Sequence, residues 1–139
     1  MKVYLTDGTL PTYFDNGKKS GEVTYKNSKP HGLWTEWYEN GQLKSEKRYK
    51  DGKRHGKCNG WYENGLMFKE SFYKQGKAEG THMTWNRSGA LVRKNIWKNN
   101  KLDGEQIHWH DNGQMSQKSF FKYNRIEGKR IGWYENGQK

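Results

Sequence analysis

Imidazole and thiol groups are the first residues here whose types could do chemistry: His108 and His110 flank Trp109, and Cys58 and His82 stand one 24-residue interval apart. Such groups bind zinc when each lies about 2.0–2.3 Å from the ion. The interval works against it. In an array of hairpins, residues 24 apart fall two strands apart, about 9.5 Å at 4.7–4.9 Å per strand, so no metal site is expected even though alternation turns His108 and His110 to one face. The carboxylates Glu22, Glu46 and Glu70 recur at the same interval. They read as a solvated stripe, because a catalytic centre needs unlike groups converging in one pocket. No Gly-x-x-x-x-Gly-Lys-Ser/Thr loop, Gly-x-Ser-x-Gly elbow or His-Glu-x-x-His is present, and neither an enzyme nor a cofactor is expected. His31 and His55 share a column with Glu79, Asp103 and Glu127 and read as polar positions beside turns.

The amines are more informative. Lys2, Lys26, Lys50, Lys74, Lys98 and Lys122 fall at one spacing, echoed three residues later by Lys29, Lys53, Lys77, Lys101 and Arg125. They predict a double basic row along one margin of a sheet. Lysines beside turns keep a flat sheet soluble and discourage edge pairing; the same row would also bind an anionic partner. Lys and Arg outnumber Asp and Glu by 26 to 15, a formal charge of +11, which attracts acidic proteins, lipid headgroups and nucleic acid alike. Trp37, Trp61, Trp85 and Trp109 recur at the same interval and are the candidate anchors, because buried aromatics dominate interface energy.

The elements that position these residues follow from the period. Gly17, Gly41, Gly65, Gly89, Gly113 and Gly137 form one column and Gly8, Gly32, Gly56, Gly80, Gly104 and Gly128 another, without an insertion. Aromatic columns (Tyr13, Trp37, Trp61, Trp85, Trp109 and Trp133; then Tyr25, Tyr49, Tyr73, Trp97 and Phe121) and a column of Leu43, Met67, Leu91 and Met115 keep the same phase. Asn-Gly, as in Glu39-Asn40-Gly41, is a strong hairpin signal, since both residues tolerate positive φ. Half a unit later Lys50-Asp51-Gly52-Lys53 supplies a second turn, with Asn99-Asn100 standing in further on.

Each unit therefore holds two strands of about seven or eight residues, near Met67–Lys74 and Gly80–Trp85 in one unit. Tight turns make neighbours antiparallel. The expected fold is all-β: an elongated, open, single-layer antiparallel β-meander of roughly eleven strands, each hairpin touching mainly the next. It forms one repeat domain over 1–139, with a half unit 1–12, units 13–36, 37–60, 61–84, 85–108 and 109–132, and a partial unit 133–139. Alternation places Met67 and Tyr73 on one reliably apolar face. The other carries Phe72, Ile96 and Phe120 but Thr24 and Arg48 earlier, so either the sheet curls on itself or its aromatic ladder stays partly wet.

Only 30% of residues are apolar while 15% are aromatic, which suits a thin aromatic-studded sheet rather than a disordered chain or a closed sandwich. A single cysteine forms no intramolecular disulfide. Without an 18-residue apolar run or a signal-type start, the expected location is cytoplasmic.

The unit Trp-Tyr-Glu-Asn-Gly-x-x-x-x-Glu-x-x-Tyr-Lys-x-Gly-Lys-x-x-Gly, clearest from Trp37 to Gly56 and from Trp61 to Gly80, resembles the bacterial variant of the MORN repeat. Asn86-Arg87-Ser88-Gly89 departs from it, as do Asn100 and Asn124 at the second turn. Arrays made only of such repeats resemble the YwqK-like antitoxin or immunity family, which implies a protein that neutralises a toxin by binding it. Other MORN arrays imply protein interaction, dimerisation or phospholipid binding. The expected partner is an acidic protein, with anionic lipid as the alternative, nucleic acid disfavoured, and a homodimer through sheet edges open.

Overall fold

The computed structural model describes residues 5–139; Lys2 and the first four positions of the half unit 1–12 lie outside the described residues. Eleven strands follow one another: β1 (Gly8–Tyr13), β2 (Lys19–Lys26), β3 (Lys29–Trp37), β4 (Leu43–Lys50), β5 (Lys53–Trp61) and β6 (Met67–Lys74), then β7 (Lys77–Trp85), β8 (Leu91–Lys98), β9 (Lys101–Trp109), β10 (Met115–Lys122) and β11 (Arg125–Gly132). They pair antiparallel in chain order in a single open sheet, as the sequence predicts.

At one margin the strands are joined by two-residue turns. Both turn residues have positive φ, 50° at Asp51 and 83° at Gly52, 48° at Asn99 and 68° at Asn100. This is the mirror-image turn whose twist matches that of the flanking strands. The Asn-Gly loops at the opposite margin differ from expectation, because only the glycine turns left-handed there (84° at Gly41, 87° at Gly65). The asparagine acts through its side chain instead. Asn40 Oδ1 accepts the Gln42 N–H at 2.8 Å, while its Nδ2 donates 2.9 Å to the Glu63 carbonyl of the next loop; Asn64 repeats both bonds toward Leu66 and Arg87.

From Gly32 onward the second glycine column lies inside strands rather than at their starts, so β7 begins at Lys77 and not at Gly80. Gly56, Gly80 and Gly104 have φ of 108°, 72° and 126°, and the register slips across each: Lys47 faces Cys58, but Tyr49 faces Arg54. These are bulges, which bend a strand and need a residue free of Cβ strain. At Gly104 an added Cβ would also sit 3.2 Å from Ile96 Cβ.

A second slip corrects the predicted faces. Residues directly opposite each other on paired strands share a face. Tyr73 faces Gly56, Ser71 faces Cys58 and Lys69 faces Gly60, but Met67 faces Trp61. Trp61 follows Gly60, so Trp61 and Met67 lie on the side opposite Tyr73. The alternation that put Met67 with Tyr73 fails because Phe68 is an extra residue in the ladder. The sheet thus has a tryptophan face and a tyrosine face.

The core is thin. Val23, Cys58, Ala78 and Ile107 are its buried apolar residues, and among the described residues the only fully buried larger side chain is Ser119. The aromatic ladder of the tyrosine face stays partly wet: Trp34 packs on Tyr49 at 5.5 Å, and His82 sits between Tyr73 and Trp97 at 5.5 and 5.8 Å.

Candidate binding faces

The lysine columns are cross-strand partners. Lys26 lies opposite Lys29, Lys50 opposite Lys53, Lys74 opposite Lys77, Lys98 opposite Lys101, and Lys122 opposite Arg125. All ten are exposed, and successive pairs repeat every two strands, about 9.5 Å. Like charges directly opposite destabilise a ladder, so the row costs the fold something. Its stems run beside the next turn, since a Cβ added at Gly52 or Gly76 would meet the alkyl chain of Lys29 or Lys53 at 3.7 Å. The ammonium groups are left in water.

Those turns are also tied to their predecessors. Gly52 N donates 2.8 Å to the Pro30 carbonyl and Gly76 N 2.8 Å to that of Arg54. The neighbouring turn N–H of Asp51 reaches His31 Nδ1 at 3.2 Å, that of Gln75 reaches His55 Nδ1 at 3.2 Å, and that of Asn99 reaches Glu79 Oε2 at 3.0 Å. In the polar turn-side column His31, His55 and Glu79 therefore serve as acceptors.

Trp37, Trp61, Trp85 and Trp109 occupy the other margin of the same face, opposite Leu43, Met67, Leu91 and Met115. All four are half-buried. Between the margins runs a band where charge is paired, with Lys57 3.0 Å from Glu70 and Lys118 3.4 Å from Glu105. One face thus carries a basic margin, a paired centre and an apolar margin.

The tyrosine face holds functional candidates that column-by-column reading passed over. Its floor is made of small residues, Ser45, Cys58, Gly60 and Ser71, flanked by Arg54 and Tyr73 on one side and Tyr38, Lys44 and Phe68 on the other. The position occupied by Ser45 in one unit is Lys69 and Arg93 in the next two. Only Lys69 and Arg93 share a column; Lys44, Lys47 and Arg54 give way to Phe68, Ser71 and Ala78 one unit on, and the register brings these cations together. His82 belongs to this face, its Nε2 2.9 Å from the Phe72 carbonyl and 3.2 Å from that of Glu79. Burial pushes its pKa below the ordinary histidine value, with Lys69 adding to the shift and the two carbonyls opposing it.

His108 is lowered too, by burial first and then by Arg93 and Arg130. Its neighbour in sequence, His110, is spent in a loop, where Nε2 donates 2.8 Å to the Trp133 carbonyl. Cys58 and His82 lie on strands β5 and β7 with Ser71 of β6 between them. Among the described residues no three side chains come together as a metal-binding group.

No curated protein matches the chain. The family described as MORN repeat variant matches residues 6–27, 30–51 and 102–123, and the three segments begin at whole multiples of 24 from one another. Segment 30–51 covers β3 and β4, whereas the well-formed unit from Trp61 to Gly80 is outside the matched segments. Over these three segments the chain is similar to MORN repeat variants, which with the open eleven-stranded meander supports a binding scaffold built from repeats.

Proposed function

We propose that the chain is a non-catalytic scaffold that binds an acidic protein on its tryptophan face, as a toxin-neutralising antitoxin or immunity protein would. The observation that carries this reading is the placement of the lysine pairs and the tryptophan row at the two margins of one face. The lysines steer encounter, and Trp61 and Trp85 seat the partner by burying aromatic surface. A row of opposed like charges weakens the sheet it belongs to, which is a reason to look for its use outside the fold.

The test is capture of a stoichiometric acidic partner from the source organism, followed by association kinetics. Lys50→Glu/Lys74→Glu/Lys98→Glu should slow association on the order of tenfold or more at low salt, while Trp61→Ala should mainly speed dissociation. An unchanged on-rate in the triple variant would remove the steering role. The linear exposed row also suits an anionic membrane surface, where each lysine contributes about 1 kcal/mol. Salt-sensitive sedimentation with acidic liposomes and no protein partner would select that reading instead.

A further inference from the structure

We infer that the tyrosine face is a second binding site: a groove across the strands for an acidic peptide segment in the extended polyproline conformation. Three depressions lie along it. One is shared by Val23, Trp34, Glu36 and Lys44, the next by Lys44, Ser45, Arg54, Cys58 and Lys69, the third by Lys69, Arg93 and His108. Glu36, Tyr38 and Lys44 line both the first and the second, and Phe68 and Lys69 both the second and the third, so the depressions form one continuous channel.

Its length and period fit one kind of chain. From β1 to β10 the channel crosses nine strand intervals, about 43 Å at about 4.8 Å each. It repeats every two strands, about 9.4–9.8 Å, and a polyproline helix turns once in three residues at 3.1 Å, or about 9.3 Å. Such a segment meets each repeat with the same edge, and aromatic-lined channels are what such segments dock into.

Charge selects the sequence of the occupant. Lys44, Lys47, Arg54, Lys69 and Arg93 line the channel against three carboxylates: Glu36, which Lys47 approaches at 3.4 Å, and Glu39 and Glu63, both confined to its first depression, so the second and third depressions are the basic ones. Three of the channel's rings carry cations: Lys44 over Tyr38 at 5.7 Å, Lys47 over Trp34 at 5.8 Å and Arg54 over Tyr73 at 5.0 Å. Single-stranded nucleic acid needs open ring faces for its bases. Cations held on rings beside a small-residue floor instead present donors to carboxylates spaced along an extended chain. None of the ten paired margin cations lines this site, which meets the tryptophan margin only at Trp37, Trp61 and Trp109, so it does not rest on the proposed steering row.

The experiment is fluorescence anisotropy of a labelled (Glu-Pro-Pro)4 peptide with the full chain at low salt, beside (Lys-Pro-Pro)4, (Glu-Gly-Ser)4 and oligo-dT. The expected result is saturable binding of (Glu-Pro-Pro)4 in preference to the other three. Lys69→Glu/Arg93→Glu should weaken it at least about tenfold, the loss of a charge-assisted hydrogen bond, while Lys50→Glu/Lys74→Glu/Lys98→Glu leaves it nearly unchanged. The ring resonances of His108 should move on titration, a readout that does not depend on a variant folding. Absence of binding, equal binding of (Glu-Gly-Ser)4, tighter binding of oligo-dT, or sensitivity confined to the Lys50 triple variant would each overturn the proposal. Because the two sets of variants alter opposite faces, failure here is distinct from failure of the tryptophan-face reading.

Discussion

His82 closes the gap that the Gly80 bulge opens in the ladder between β6 and β7, its Nε2 2.9 Å from the Phe72 carbonyl, and burial favours its neutral form. Its folded pKa lies below 6.5, the ordinary value, for which burial is the first cause; that of His108 lies below it for the same reason, reinforced by Arg93 and Arg130. The unfolded chain therefore takes up protons on these residues before the folded sheet does. The stability they contribute is complete above about pH 6.5 and is lost as pH falls from there toward their folded pKa values. Urea unfolding between pH 8 and pH 5 should show a flat limb and then a decline, beginning above the range where carboxylates titrate, near about 4. His82→Gln/His108→Gln should flatten that decline; the same decline in the variant would show that other groups cause it.

At the scale of the hairpin, the paired lysines set stability against binding. Replacing one member of three pairs, as in Lys53→Glu/Lys77→Glu/Lys101→Glu, converts opposed like charges into opposite ones, each change worth roughly 0.2–1 kcal/mol in favour of the sheet. Thermal unfolding should shift upward while affinity for an anionic partner falls. A lowered melting temperature would mean that the row supports the fold in a way the register does not reveal. The strands themselves were legible in the sequence, because turn chemistry recurs at fixed positions: β6 runs from Met67 to Lys74 as read. The bulges were not. Gly56 and Gly80 look like any turn glycine in sequence, and only the slip from Lys47–Cys58 to Tyr49–Arg54 reveals that they lie within strands.

Across the whole molecule, the period made the open meander legible, whereas the two faces were not. An extra residue in the ladder, such as Phe68 in β6, inverts everything beyond it, so alternation counted along the strand assigns Met67 to the wrong side. The candidate lysines and tryptophans were found because they recur along the whole array; Lys69 and Arg93 were missed because their column is Ser45 before them and Gln117 after, and Glu36 because Gly60 and Thr84 follow it. Since each hairpin meets chiefly its neighbours, deleting residues 61–84 should join Gly60 to Trp85 in phase and leave a folded sheet of nine strands, two fewer than the eleven present. Its urea m-value should drop by about one sixth, in proportion to the chain removed, with a strand-type far-UV spectrum retained. Loss of cooperative unfolding would show that the units are not interchangeable.

The order of the strands also decides how the molecule bears a load. With β1 and β11 at opposite edges, tension applied across the sheet runs along the inter-strand hydrogen bonds, which lie perpendicular to the strands, and passes through the interfaces one after another like the links of a chain. Such an arrangement yields at its weakest seam while the others hold. The bonds that span a whole hairpin, from the Tyr38 hydroxyl to the Trp61 carbonyl and from the Tyr62 hydroxyl to the Trp85 carbonyl, both 2.6 Å, then serve as rivets between adjacent links, so that the sheet gives way in steps of a repeat rather than of a strand.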